Sequence, residues 1–163
     1  MSLPLRQERP DDAPAIHALI TAAFGQEDEA NLVDALRQDG DLWLSLVMEG
    51  EDGEIIGHIA LSRLKSPKNA LALAPVSVTP KRQGEGIGGA LIRRAIKEAR
   101  SKGKTLIFVL GDPAYYTRLG FNVETAAPFD CIYAGDYFMA LELGDEKAEV
   151  APVVYADAFG RLG

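Results

Sequence analysis

The sequence predicts a single domain of mixed α/β class, an α+β arrangement in which a mainly antiparallel central sheet is flanked by helices. Three observations lead to this prediction. The 163 residues, of which 47% are hydrophobic, suit one domain with one core. Three consecutive strand patterns precede the clearest helical pattern, at residues 86–102. No repeat or linker divides residues 1–163, so we treat them as one unit in which residues 144–163 form a C-terminal extension.

The first half of the chain predicts a short strand, two helices and a three-stranded antiparallel meander. The strand at residues 5–9 runs into an acidic N-cap at Asp11-Asp12, which opens a helix that ends at Gly25. A second helix is expected at residues 27–38. The meander strands are expected at residues 42–48, 54–64 and 71–78. The apolar face of the first helix consists of Ile16, Leu19, Ile20 and Phe24.

The second half begins with the clearest helix, which is apolar on one face and rich in Arg and Lys on the other. Residues 105–110 are β-branched and apolar, as in a buried strand. Asp112 and Pro113 are typical of a helix start, and this short helix should end at Gly120. Strands at residues 121–124 and 137–143 complete the predicted sheet. The tail is too apolar to be simply disordered.

Composition excludes several classes of function. Seventeen Lys and Arg residues against 24 Asp and Glu residues give a net charge of −7, which argues against nucleic acid or an anionic membrane as the main partner. Cys131 is the single cysteine, so an internal disulfide and a structural zinc site are excluded. No apolar run approaches the roughly 18 residues of a membrane span, and no signal-type stretch precedes the first charges. We therefore expect a cytoplasmic protein without a metal cofactor.

A glycine-rich turn at residues 80–89 lies between the last meander strand and the clearest helix. Unpaired N–H groups at a helix N-terminus favour an anion, and glycines let a phosphate approach the backbone closely. Lys81 and Arg82 lie at the edge of the turn. The turn therefore predicts a phosphate site. The alternative is that the glycines only make a tight turn and permit close helix packing.

The same turn formally matches the dinucleotide-binding pattern G-x-G-x-x-G at Gly84, Gly86 and Gly89. In that fold the first glycine directly follows a buried parallel strand. Here residues 79–83 intervene, and three meander strands come first. A nicotinamide-dependent oxidoreductase is therefore a weaker interpretation of this turn.

Two motifs flank the clearest helix. The turn contains Gln83-Gly-Glu-Gly86-Ile-Gly88, and the short helix ends with Tyr116-Thr-Arg-Leu-Gly120-Phe121. Both resemble signatures of the GNAT superfamily of N-acetyltransferases, and the order of predicted elements over most of the chain is similar to that family. The stretches at residues 109–113 and 138–142 resemble a branch of small bacterial members. One departure is Gly111-Asp112-Pro113, where many relatives carry an Asn that contacts the cofactor.

The resemblance implies transfer of an acetyl group from acetyl-CoA to an amine. It implies that the backbone at Val76, Ser77 and Val78 pairs with the pantetheine arm like an added strand, with the N–H of Val78 polarising the thioester carbonyl. Strands splayed near Val78 and Leu110 would open the slot. Tyr116 matches the family's acid position, and its usual pKa of about 10 keeps it protonated at neutral pH. The pyrophosphate would be held by the backbone of Gln83, Gly84, Glu85, Gly86, Ile87, Gly88 and Gly89.

The general base and the acetyl acceptor stay open at this level. No acid or histidine lies on the strand at residues 71–78, so His58 and Glu29 are candidates for the general base and for contact with the acceptor, and water is the alternative base. His58 lies within an alternating strand, where a histidine more often has a structural role. Glu29 and Asp130 would belong to an acidic rim that favours a cationic amine of a small molecule or a peptide. Tyr116 has the alternative role of a packing residue beside Tyr115. The other acids of the rim are Glu27, Asp28 and Asp136.

Two further interpretations concern partners and activity. A homodimer is compatible with the apolar tail, in which Pro152 suits a position along an edge strand. A non-catalytic acyl-CoA-binding module, which keeps the fold and loses the chemistry, is the alternative function. Neither the acceptor nor the identity of the acyl group can be read from these patterns.

Overall fold

The computed structural model describes residues 3–161, so the predicted domain limits at residues 1 and 163 lie outside the described range. One six-stranded sheet runs through the molecule, with its strands in chain order. Neighbouring strands are antiparallel except for the fourth and fifth, which are parallel. The strands are β1 (Leu5–Gln7), β2 (Leu42–Glu49), β3 (Ile55–Arg63), β4 (Ala70–Val78), β5 (Leu106–Leu110) and β6 (Phe138–Glu142).

Helices cover both faces of the sheet. The alternation of side chains along β2 and β3 sends one set of apolar residues to each face. On one face the third helix packs its apolar stripe, which includes Leu91 and Ile92, against Leu46 and Ile59. The first two helices cover the other face, and the two shortest follow β5. The helices are α1 (Ala13–Phe24), α2 (Asp28–Asp39), α3 (Ile87–Ser101), α4 (Pro113–Tyr116) and α5 (Val123–Ala126).

Most predicted elements are confirmed, including the antiparallel meander and the helix start at Asp112, whose Oδ1 accepts the N–H of Ala114 over 3.0 Å. The strand expected at residues 121–124 is wrong. Asn122 forms only an isolated bridge with Ala140. Its side-chain oxygen accepts the N–H of Thr125 over 2.7 Å, and this cap starts α5 instead of continuing a strand.

Three smaller expectations are also corrected. Asp12 does not cap α1; its carboxylate accepts the N–H of Arg9 over 2.6 Å and pairs with Arg6 over 2.7 Å. Phe24 does not join the apolar face of α1, because in the last helical turn its side chain is 43% exposed. The tail does not follow an edge strand. Val154 bridges to Ser66, in the connection between β3 and β4, and the following segment packs against α2.

The parallel pair β4 and β5 is joined over a short distance only. Its ladder begins where Ala70 faces Leu106 and ends where Ala72 faces Phe108. Beyond that point β4 continues to Val78 and β5 to Leu110 without pairing to each other. The predicted splay of these two strands is confirmed, and it opens a gap at their carboxyl ends. Because α3 follows β4 and α4 follows β5, both helices begin beside this gap.

Phe108 is expected to be a main support of the core on the face that carries α1. It is fully buried, stacks on Phe138 at 5.3 Å between ring centroids and meets Phe129 edge-on at 5.2 Å. Phe108→Ala should lower the free energy of unfolding by about 3–5 kcal/mol, because it leaves a cavity between two rings. Urea denaturation monitored by circular dichroism would measure it. The control is Phe24→Ala, which should change stability by less than about 1 kcal/mol; equal losses would contradict this assignment.

Candidate active site

The backbone of β4 presents hydrogen-bonding groups to the gap. Thr79 donates its N–H to the carbonyl of Ile56 on the β3 side over 2.9 Å. Hydrogen-bonded and non-hydrogen-bonded positions alternate in an antiparallel ladder, so the preceding residue, Val78, makes no hydrogen bond to β3. Val76, two residues earlier, is in the same situation. The N–H and C=O groups of Val76 and Val78 therefore point away from β3 and towards the space that β5 has left.

Gln83 ties the glycine turn to the end of β4. Its side-chain Nε2 donates to the carbonyl oxygen of Val78 over 3.1 Å. Gly84 and Gly86 then adopt positive φ values of 85° and 84°, a region that side chains with a Cβ rarely enter. The backbone itself therefore requires glycine at these two positions, and Gly86 leads directly into α3.

The N-terminal turn of α3 supplies free donors beside the gap. The first helical hydrogen bond runs from the N–H of Ala90 to the carbonyl of Gly86 over 3.1 Å, so the N–H groups before Ala90 have no helical partner. Arg82 is occupied by ion pairs with Glu51 at 3.0 Å and Glu85 at 2.9 Å. Arg82 is therefore not free to bind an anion, and the backbone donors and the helix dipole attract one without it.

Tyr116 lies at the gap's other wall, in α4. Its ring packs edge-on against Phe121 at 5.7 Å and is largely buried. Burial raises the pKa of Tyr116 to about 12, so the hydroxyl stays protonated at physiological pH. Within residues 3–161 the hydroxyl oxygen of Tyr116 is not among the completely enclosed polar atoms that lack a partner.

Gly111 belongs to the stretch that departs from the family pattern, and it lies directly against the ring of Tyr116. A Cβ on Gly111 would lie 2.5 Å from Cε2 of Tyr116, well inside the contact distance of two carbon atoms. Any side chain there would displace the ring of Tyr116. The chain therefore combines glycine at the start of this wall with a tyrosine that packs over it.

His58, a candidate for the acceptor side, lies in a buried polar network under α1 and α2. It is fully buried. Ser45 donates its hydroxyl hydrogen to Glu8 over 2.7 Å, so its oxygen accepts from Nε2 of His58 over 2.8 Å. Arg37 pairs with the same Glu8 at 2.7 Å. This network assigns the proton to Nε2 and leaves Nδ1 as a buried acceptor without a partner.

The burial of His58 favours its neutral form and lowers its pKa to about 4. A side chain without access to solvent does not meet an acceptor, so we do not assign His58 to substrate binding. No sequence motif links Glu8, Arg37 and Ser45. Glu8 follows β1, Arg37 belongs to α2 and Ser45 to β2. Only the folded sheet brings them to one imidazole.

The other candidates of the acceptor side lie near the surface. Glu29, in the first turn of α2, accepts hydrogen bonds from Nε2 of Gln26 at 3.0 and 3.2 Å. Asp130 is exposed in the connection before β6. Glu27 pairs with His17 at 3.1 Å, so part of the predicted acidic rim is already compensated. Burial raises the pKa of the Cys131 thiol, in keeping with an inert side chain.

Two negative findings apply to residues 3–161. No group of three or more His, Cys, Asp or Glu side chains in this part of the chain is arranged to hold a metal ion. No helix within it is both long and apolar enough to cross a membrane.

Comparison with known proteins defines the class to which this site belongs. The profile of the acetyltransferase (GNAT) family matches residues 10–121, a stretch that runs from α1 through the glycine turn to Tyr116 and Phe121. The chain belongs to this family.

Among its relatives is YhbS of Escherichia coli K12, an uncharacterised N-acetyltransferase. It is 35% identical over 165 residues, which cover 97% of this chain and 99% of YhbS. A crystal structure of E. coli YhbS in complex with CoA superposes with a TM-score of 0.90 at 32% identity, covering 100% of this chain and 94% of the other. A GNAT acetyltransferase of Brucella melitensis in complex with acetyl-CoA gives a TM-score of 0.80 at 40% identity, covering 96% and 97% of the two chains.

The neutral state of His58 should make the fold sensitive to acid. The unfolded chain binds a proton at His58 near pH 6.5 and the folded chain only near pH 4, so stability is lost as the pH falls between these values. The loss between pH 7 and pH 5 should be about 2 kcal/mol. Urea denaturation at both pH values would measure it.

The matched variant is His58→Gln, which removes this titration. Asp34 and Glu27 raise the pKa of His17, so protonation of His17 stabilises the folded chain as the pH falls. This contribution is the same in both proteins and therefore cancels when their stability losses are compared. An equal loss of stability in wild type and His58→Gln would show that His58 is not held neutral by the fold.

Proposed function

We propose that this protein transfers an acetyl group from acetyl-CoA directly to a primary amine of a small molecule or peptide. The observation that carries this proposal is the edge of β4 at Val76 and Val78, whose backbone groups make no ladder hydrogen bond to β3 or β5 and face the gap between β4 and β5. A pantetheine arm carries amide groups, so it suits this edge as an added strand. The complexes of YhbS with CoA and of the Brucella relative with acetyl-CoA support the same ligand here.

The pyrophosphate of the co-substrate is proposed to bind at the glycine turn. The unpartnered N–H groups of the first turn of α3 and the turn itself suit an anion. The proposed contacts are the backbone groups of Gln83, Gly84, Glu85, Gly86, Ile87, Gly88 and Gly89.

The chemistry is proposed to need two groups of this chain at the thioester. When a neutral amine attacks, the carbonyl oxygen becomes negative, and the N–H of Val78 is placed to stabilise it. The C–S bond then breaks, and the departing thiolate takes a proton from the hydroxyl of Tyr116. The attacking nitrogen loses a proton to water as the amide forms, and a proton from water restores the phenol of Tyr116. That hydroxyl is protonated at physiological pH, as a proton donor must be, which supports this role.

The experiment that tests the proposal is a thiol-release assay. Wild-type protein and acetyl-CoA are incubated with a panel of amino acids, aminoglycosides, polyamines and peptides, and free CoA is measured. Release that depends on the amine supports acetyl transfer. Binding of CoA without release for any member of the panel would favour the alternative, a non-catalytic acyl-CoA-binding module.

Tyr116→Phe should lower turnover by about 10²- to 10⁴-fold, because it removes the proton donor for the thiolate and keeps the ring that packs over Gly111. The dissociation constant of acetyl-CoA should change little. Steady-state kinetics with the best amine of the panel and calorimetry with acetyl-CoA would measure the two quantities. The control is Tyr133→Phe, whose ring meets Tyr155 instead of the gap. Equal, small effects of both changes would make Tyr116 a packing residue.

The acidic rim predicts a cationic acceptor, because Glu29 and Asp130 contribute negative charge beside the proposed acceptor side. Glu29→Gln and Asp130→Asn should each raise the KM for the amine severalfold at low salt. Raising the ionic strength to about 0.5 M should reduce the difference, since exposed charges are then screened. Steady-state kinetics at two salt concentrations would measure this effect. The control is Glu124→Gln, an exposed change on α5; a KM indifferent to charge and salt would contradict a role of the rim.

A further inference from the structure

The phenol ring of Tyr115 lies across the mouth of the gap. Its oxygen Oη is 3.3 Å from the point that a Cβ on Gly88 would occupy, and Cγ2 of Val78 is 3.8 Å from the same point. Tyr115 belongs to α4, which follows β5, whereas Gly88 lies in the first turn of α3, which follows β4. The side chain therefore reaches from one wall of the gap to the other, beside Val78.

Packing accounts for the ring of Tyr115 but not for its hydroxyl. The ring meets Tyr116 edge-on at 5.0 Å, a contact that phenylalanine would make equally well. Tyr115 is 37% exposed. Within residues 3–161 the side-chain hydrogen bonds of this segment are made by Asp112, Thr117 and Arg118, and not by the hydroxyl of Tyr115. This oxygen thus has an unused donor hydrogen and lies beside the first turn of α3, where the helix presents its own free donors.

Gly111 and Tyr116, which lie near Tyr115 on the same wall, do not make this contact. Gly111 has no side chain, and adding one would displace the ring of Tyr116. Tyr116 itself is packed towards the core against Phe121. Among the residues at the start of this wall, Tyr115 is the one whose polar end reaches the first turn of α3.

We propose that the hydroxyl of Tyr115 donates a hydrogen bond to a pyrophosphate oxygen of CoA, from the wall opposite the glycine turn. This inference rests on the proposed binding of acetyl-CoA in the gap. The pyrophosphate is then held between two sets of donors, the backbone N–H groups of α3 on one side and a phenol on the other. Tyr115 is a cofactor-binding residue and Tyr116 the proton donor, so the two adjacent tyrosines have separate roles.

The same geometry explains why residue 88 is a glycine. Its φ is not in the left-handed region, so the backbone alone does not require glycine there. A Cβ at 3.3 Å from Oη of Tyr115 would be a tight contact. Gly88 therefore leaves room for the phenol to approach the first turn of α3, where the anion is expected.

The test is calorimetric titration of the full chain with CoA, 3′-dephospho-CoA and ADP. Tyr115→Phe keeps the ring and removes only the donor. A hydrogen bond to a charged oxygen is worth roughly a ten- to hundredfold change in the dissociation constant. We expect Tyr115→Phe to weaken all three ligands by a similar factor in this range, since all three contain the diphosphate. Tyr133→Phe, away from the gap, should leave all three unchanged.

Other outcomes overturn the proposal in distinguishable ways. Weaker CoA with unchanged dephospho-CoA would place the hydroxyl at the 3′-phosphate. Weaker CoA and dephospho-CoA with unchanged ADP would place it on the pantetheine arm. No change with any ligand would make Tyr115 a packing residue while leaving the proposed function intact. A wild-type chain that binds none of the three would overturn the proposed function as well.

A double-mutant cycle supplies a second measurement. Gly88→Ala introduces a Cβ at 3.3 Å from the phenol oxygen, and it should weaken CoA binding in the wild-type background. In the Tyr115→Phe background the oxygen is gone, so the further loss should be at least threefold smaller. Such non-additivity is expected only for residues that interact. Independent, additive effects would show that the added Cβ weakens CoA binding without involving Tyr115, which would contradict the proposed contact between this hydroxyl and the pyrophosphate.

Discussion

The feature on which the rest of the site depends is the early end of the ladder between β4 and β5. Backbone N–H and C=O groups in a sheet require partners, and the part of β4 beyond Ala72 pairs with a neighbouring strand only on the β3 side. Because β4 and β5 are parallel, both carboxyl ends lie at the same edge of the sheet. The chain continues from these ends into α3 and α4. One interruption of pairing thus brings a free strand edge, a helix N-terminus and two tyrosines to one place.

The two tyrosines differ because adjacent residues of a helical turn point about 100° apart. Tyr116 turns towards the core, packs over Gly111 and acquires a raised pKa from burial. Tyr115 turns outwards and reaches the first turn of α3. A single helical turn of four residues can therefore serve both the leaving group and the cofactor, provided that glycine stands at positions 88 and 111.

The polar network around His58 is structural and does not face the gap, although Ser45 and His58 lie on β2 and β3 of the same sheet. Glu8 follows β1, Ser45 belongs to β2, and Arg37 comes from α2, so their hydrogen bonds join the edge of the sheet to a covering helix. The ion pair of Arg37 and Glu8 is costly to break, because removal of one partner leaves a partly buried charge alone. The network holds α2 against the sheet and so fixes the position of the connection between α1 and α2.

Local pattern alone determined most of the elements, because apolar periodicity, glycines and the Asp112 cap act within a few residues. It also determined the glycine turn and, through two motifs, the family. It did not determine the role of Asn122, whose cap on α5 overrode a strand-like pattern, or the burial of His58. These depend on contacts between residues distant in sequence. The contact of Tyr115 with the turn at Gly88 was decided only by tertiary structure, because it exists only once two parallel strands have separated and placed two helices face to face.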